Sequence, residues 1–180
     1  MKFKHVLEYN HWTSSSTNDD MVAHNKDTEG VDFDYVSKDK VLHGTRFVKV
    51  INPLNNKSLG VKAKFDTGAV SSSLDLKVAE LLGIEEGIIE KCKEFRRIVV
   101  PRTMTLARQK ALAEEKETEL KREFPNITKV SIIRSSSSFS VRIFVKLIIE
   151  VEGRSLLTNI NLKDRSGMSN DMLVGLNDLM

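Results

Sequence analysis

The sequence predicts a mainly β fold, a small closed barrel or sandwich with one long charged helix inserted and an extended polar arm at the N-terminus. Three observations predict it. Residues 139–151 alternate, so that Phe139, Val141, Ile143, Val145, Leu147, Ile149 and Val151 share one face. Residues 47–65 read as a hairpin. Residues 103–124 are rich in Ala, Leu, Glu and Lys, all good helix formers. With 180 residues, 40% apolar and 29% charged, the chain suits one medium domain that buries roughly 70% of its unfolded surface without a covalent staple.

The elements follow in order. Residues 1–40 carry five Lys/Arg against eight Asp/Glu, a net −3. Residues 13–40 show no sustained period and too little apolar area to offset the entropy of ordering. They are read as an acidic arm, held by the body or by a neighbouring subunit, and the domain proper is read over residues 41–180. In it, the β-branched run 47–51 ends in Asn52-Pro53-Leu54-Asn55-Asn56, which is turn chemistry. Leu59, Val61, Ala63 and Phe65 then alternate with Gly60, Lys62 and Lys64, one face in and one out. Residues 78–83 predict a short helix stopped by Gly83. Over 103–124, Thr103 is placed as the cap and Pro125 as the stop. Glu117→Lys121 and Lys110/Glu114 stand at i,i+4. This segment is read as an inserted helix of about five or six turns packed on the sheet by a narrow apolar stripe, with a partner-binding helix as the alternative. Strands resume at 128–134, 139–151 and, after a turn at Gly153, at 156–162. A helix-like end is read over 176–180.

Composition excludes several function classes. Beyond residue 40 the balance is 23 Lys/Arg against 17 Asp/Glu, a net +6. That excess is compatible with an acidic partner but falls short of the basic, aromatic-interleaved stripe of a nucleic-acid binder. No run approaches eighteen apolar residues, and the start, MKFKHVLEYNHW, lacks a signal peptide's apolar stretch. The expectation is a cytoplasmic protein without a membrane partner. Cys92 is the single cysteine, which excludes an internal disulfide and a multi-cysteine zinc site and reads as a half-buried thiol. His5, His11, His24 and His43 have no metal-ligand spacing, and no phosphate-binding loop is present. Neither a metal nor a nucleotide cofactor is expected.

The stretch that carries chemistry is Ala63-Lys64-Phe65-Asp66-Thr67-Gly68-Ala69-Val70-Ser71-Ser72-Ser73-Leu74. A carboxylate ends an apolar strand, and a hydroxyl and a glycine follow at once. The glycine lets the chain turn tightly and aims backbone N–H groups at the carboxylate, holding it ionised and oriented. On these residues alone, Asp66 also fits a simple strand-end turn. Residues 71–73 offer hydroxyls with no histidine motif beside them, and are read as bonding locally to backbone. A second apolar-apolar-Gly element, Leu173-Val174-Gly175, lies near the chain end.

Together these elements resemble the retropepsin-type aspartic protease fold, and within it a bacterial and phage branch labelled "ATP-dependent zinc protease". The resemblance rests on Ala63 through Leu74, on Ile133-Arg134-Ser135-Ser136 and Val141-Arg142-Ile143, and on Leu162-Lys163-Asp164-Arg165-Ser166-Gly167-Met168. Leu173-Val174-Gly175-Leu176 adds a partial match. It covers residues 45–180 without the charged helix. It implies a retropepsin-like closed barrel in which two aspartates, about 3 Å apart and sharing one proton, activate a water. With one Asp-Thr-Gly per chain, the resemblance implies a homodimer in which Asp66 of each subunit hydrolyses a peptide bond. Thr67 is then expected to brace the opposite subunit, Gly68 and Ala69 to line the cleft, and Gly175 to support the site. Ser72, Arg142, Asp164 and Arg165 become candidate substrate-binding residues, although Asp164 and Arg165 are read first as an ion pair with each other. Members of the branch are associated with ligases that attach glutamates, which points to acidic, glutamyl-rich peptide or protein substrates. The zinc and ATP of the label find no matching residues here.

Leu176 stands where that branch has Arg, and the chain stops at Met180, where relatives continue into another strand. With the acidic arm and the inserted helix, these departures support an alternative: a non-catalytic retropepsin-like subunit of a larger assembly such as a virion, engaged through its arm. The expected location is then the virion instead of the cytoplasm.

Overall fold

The computed structural model describes residues 43–179 except 136 and 137; the arm read over residues 1–40 lies outside the described residues. The strands are β1 (His43–Ile51), β2 (Ser58–Asp66), β3 (Ser73–Asp75), β4 (Ile127–Arg134), β5 (Phe139–Val151), β6 (Arg154–Lys163) and β7 (Met172–Gly175). Three helices, α1 (Leu76–Leu81), α2 (Glu86–Phe95) and α3 (Leu106–Glu123), lie between β3 and β4, and a 3₁₀ turn (Leu176–Asp178) follows β7.

The protein is mainly β. Strand order runs β1-β2-β7-β3-β6-β5-β4, and β1 also pairs with β5, which closes six strands into a barrel. The 13 residues of β5 make closure possible. Its first half pairs with β4, Ile127↔Val145 through Arg134↔Phe139, while Ile148, Ile149 and Glu150 pair with Ile51, Val50 and Lys49 of β1. Closure removes the exposed strand edges of the six barrel strands.

The predicted alternation is what fills the barrel. Val48, Val50, Val61, Ala63, Leu74, Val145, Leu147, Ile149, Ile160, Leu162, Met172 and Val174 are all buried, each such Val, Leu or Ile contributing about 1.5–3 kcal/mol. The β1–β2 turn has a second use. Asn52 Nδ2 and Asn55 Nδ2 donate to the Leu82 carbonyl at 3.0 and 3.1 Å, satisfying a carbonyl at the end of α1 that the helix leaves without a partner.

The helices differ in detail from the sequence reading. Instead of 78–83, α1 starts at Leu76, because the Asp75 carboxylate accepts the Lys77 N–H at 2.9 Å and caps it. Gly83 does end it, with φ +74°, a conformation other residues rarely adopt. Helix α2 was not anticipated: its cap residue Glu85 makes no side-chain capping bond, so the usual start signal is missing. In α3 the cap is Thr105 and not Thr103, since Met104 N–H is drawn to the Pro101 carbonyl at 3.0 Å in a preceding turn. α3 packs against β4 through buried Ala113 and Leu120, and Glu117 Oε2 accepts the Val130 N–H at 2.9 Å. That bond occupies a donor on the edge of β4 that faces away from β5. The helix read over 176–180 is only the 3₁₀ turn Leu176–Asp178. Among the described residues no helix is long and apolar enough to cross a membrane.

Candidate active site

Asp66 is the last residue of β2 and lies beside Gly175 of β7 in a parallel pairing, Ala63↔Met172 through Asp66↔Gly175. On its other edge β7 is antiparallel to β3, Ser73↔Leu173 and Leu74↔Met172. The chain therefore leaves β2, passes over the end of β7 and returns as β3. Residues 67–72 form that crossing.

The crossing is bonded throughout. The Gly68 N–H donates to Asp66 Oδ1 at 2.9 Å, and the Ala69 N–H donates to the Asp66 carbonyl at 3.2 Å. Below it, the Leu176 N–H donates to the Ala69 carbonyl at 2.7 Å and the Asn177 N–H to the Val70 carbonyl at 3.1 Å. The Gly175 N–H donates to Ser72 Oγ at 2.9 Å. The Ser72 hydroxyl in turn donates to Asp178 Oδ2, and Thr158 Oγ1 donates to Asp178 Oδ1. The Ser72 carbonyl accepts the Asn161 N–H at 3.0 Å and its side-chain amide as well. Gly175 has no room for a side chain: a Cβ there meets the Ser71 backbone at 2.6–2.8 Å.

One carboxylate emerges from this frame open to solvent. The Asp66 side chain is 30% exposed, with Lys64 Nζ 3.7 Å from its Oδ2. Oδ1 is oriented by Gly68, and Oδ2 faces the Lys64 ammonium and accepts no hydrogen bond among the described residues. Such a group can accept or donate one proton to a bound water or substrate. Asp178, the carboxylate built into the frame, has both oxygens taken by Ser72 and Thr158, so it braces the crossing.

The predicted site residues fall into two groups at opposite ends of the barrel. Asp66, Thr67, Gly68, Ala69, Ser72 and Gly175 meet at the crossing. Thr67 is half-buried, and its hydroxyl makes no hydrogen bond among the described residues. Ser72 is 0% exposed, and its bonds run to Gly175 and Asp178, more than a hundred residues away, and not locally. Arg142, Asp164 and Arg165 sit at the other end. β2 is parallel to β7, β7 antiparallel to β3, and β3 parallel to β6, so the C-terminal ends of β2 and β6 point in opposite directions.

At that end Asp164 and Arg165 do not pair with each other. Asp164 Oδ1 accepts the Ser166 hydroxyl at 2.7 Å and the Ser166 N–H at 3.0 Å, while Oδ2 pairs with Arg96. The Ser166 bonds first, helped by Arg96, hold the Asp164 carboxyl below its ordinary value against the opposing effect of burial. Arg165 is 7% exposed; its Nε donates to the Asn170 carbonyl at 2.9 Å and its Nη1 to Ser73 Oγ at 2.8 Å. Its N–H donates to Asp75 Oδ2 at 2.7 Å, so Arg165 ties the loop after β6 to β3. Both residues lie in the loop just after β6, where each is drawn to other partners. Arg96, Asp178 and Asn161 escaped sequence reasoning. Asn161 and Asp178 carry no motif, and Arg96 sits at the end of the unanticipated α2.

Cys92 on α2 is half-buried, and burial pushes its thiol up to about 12, against the pull of nearby Arg142. No group of three or more His, Cys, Asp or Glu side chains suited to a metal is found among the described residues. Compared with family models, curated proteins and solved structures, the chain has no match.

Proposed function

We propose that the protein is a retropepsin-like aspartic peptidase that works as a homodimer, Asp66 of each subunit sharing a proton and activating a water for peptide-bond hydrolysis. The observation that carries this reading is the Asp66 carboxylate itself, oriented by the Gly68 N–H at 2.9 Å and 30% exposed on a fully bonded crossing. Among the described residues Asp66 stands alone in this arrangement, and Asp178 is consumed by hydroxyls, so the second member comes from a second copy. Thr67, with an unengaged hydroxyl, is suited to brace that copy. Gly68 and Ala69 line the cleft. Acidic peptides are the proposed substrates, in the cytoplasm.

A second reading, a non-catalytic assembly or virion subunit, draws on Leu176. Its half-buried side chain offers no charge at the position where the resemblance places Arg, while its N–H serves only to hold Ala69.

Replacing Asp66 with Asn tests the choice. For a peptidase, Asp66→Asn abolishes hydrolysis of glutamyl-rich peptides and leaves melting temperature and dimerisation unchanged, and wild-type activity per chain falls on dilution. Wild-type turnover in a contaminant-free Asp66→Asn preparation excludes the peptidase. A wild type inert towards acidic and generic peptides favours the assembly subunit.

A further inference from the structure

We propose that Arg102 and Arg134 form a phosphate-binding site, for the free ion or for a phosphorylated side chain, in the cleft where β4 ends and β5 begins. Arg102, Arg134, Ser135, Ser138 and Phe139 line that cleft, which has a volume of about 180 Å³. Pockets for whole ligands run to roughly 300–1,000 Å³, so this one suits a single charged group. Two separate parts of the chain bring the arginines together. Arg134 is the last residue of β4 and pairs with Phe139, the first of β5. On the other edge of Phe139, buried Val100 forms an antiparallel bridge, which fastens the segment between α2 and α3 to the sheet. The Met104 N–H, bonded to the Pro101 carbonyl at 3.0 Å, closes the turn that presents Arg102 two residues beyond the bridge.

The donors are held in place before a ligand arrives. The Arg134 guanidinium carbon lies 5.9 Å from the centre of the Phe139 ring, within cation–π range, and Arg134 makes no hydrogen bond or ion pair among the described residues. The two serines are tied to each other. The Ser135 N–H and hydroxyl both donate to the Ser138 carbonyl, at 2.8 and 2.9 Å, and the Ser138 N–H donates to Ser135 Oγ at 3.2 Å. The two hydroxyl oxygens stand 3.3 Å apart, longer than an ordinary O–H···O bond, so the Ser138 hydroxyl gives up little in turning to a ligand oxygen. Among the described residues no carboxylate lines the cleft.

The donor set selects the ligand class. Each guanidinium fork offers parallel N–H groups to an oxyanion, and the Ser138 hydroxyl adds one donor more. That set exceeds what the two oxygens of a carboxylate can take and matches the three acceptor oxygens of a phosphate monoester, which carries close to two negative charges at neutral pH. None of the lining residues belongs to the crossing that carries Asp66, so the site is independent of the peptidase reading.

Isothermal titration calorimetry on the full-length protein tests the site, with inorganic phosphate, O-phosphoserine and glutarate as probes at matched ionic strength. The expected result is saturable one-site binding of a phosphate probe, weakened about tenfold or more by Arg102→Gln and by Arg134→Gln, and unchanged by Lys62→Gln on the exposed surface of β2. The tighter of the two phosphate probes identifies the source, the free ion or a phosphorylated side chain. No binding of either at about 10 mM, where a Kd near 1 mM already gives a signal, overturns the site. So does glutarate binding as tightly as phosphate, or binding within about twofold of wild type in either arginine variant. Should an arginine variant fail to fold, Ser138→Glu at an exposed position decides: a carboxylate placed in the cleft abolishes phosphate binding, and undiminished binding overturns the proposal.

Discussion

The hydroxyl of Ser72 accepts the backbone N–H of Gly175 at 2.9 Å across 103 positions of sequence. With the donation from Ser72 to Asp178, this bond fixes β7 beneath the chain that carries Asp66. The position of the Asp66 carboxylate therefore depends on a buried hydroxyl that itself meets no solvent.

Ser72→Ala leaves the Gly175 N–H buried without an acceptor and lowers stability by about 1–3 kcal/mol. Because Ser72 and Asp178 belong to one network, Ser72→Ala and Asp178→Asn are expected to be non-additive, with a coupling of about 0.5–3 kcal/mol. Urea unfolding of the two single variants and the double variant measures it; strict additivity contradicts the network.

Gly175→Ala forces a Cβ to within 2.6–2.8 Å of the Ser71 backbone, where no flexible side chain can yield. A loss of about 1–3 kcal/mol or more follows. Gly60→Ala on exposed β2 is the contrast: its Cβ meets nothing within 4 Å, so a gain of about 0.4–1 kcal/mol is expected from the stiffer unfolded chain. Equal midpoints for the two variants in urea would contradict the crowding at Gly175.

Asp164 makes acid stability depend on one turn. Its carboxyl lies below the ordinary 3.8, held there by the Ser166 bonds first and then by Arg96. A carboxyl depressed in the folded state adds stability at pH values above its unfolded pKa, and loses it as pH falls through the lower folded value. Solvent exposure keeps the effect under about 1 kcal/mol. Asp164→Asn should thus be less stable than wild type near pH 6, and the difference should shrink towards about pH 2. A constant difference across that range rules the linkage out.

Cys92 should be chemically quiet. Burial raises its thiol from 9.0 to about 12, so near pH 8 the thiolate fraction falls on the order of a thousandfold below that of a free cysteine. A chromogenic disulfide reagent is expected to label it only on unfolding. Labelling of the native protein at the free-thiol rate would show that the side chain is not shielded.

Much of this was legible in the residues. The 59–65 and 139–151 alternations specify strands because a pleated ribbon repeats every two residues, and their inward sets are the barrel core. The Asp66–Gly68 turn was legible for a similar reason: its hydrogen bond spans two residues. Helix α2 was not, because a helix without a side-chain cap leaves little local trace.

The sequence by itself determined the short-range features: strand periods, the turn at Asp66, and the charge pairs of the 106–123 helix. Tertiary structure alone decided that β5 closes the barrel on β1, that Ser72 serves Gly175, and that Asp164 turns to Arg96 and not to Arg165. The physical reason is range. Periodicity and local hydrogen bonds act over a few residues and write themselves into the sequence. Register and partner choice join positions tens to a hundred residues apart, and many pairings satisfy the same local pattern until one packed core selects among them.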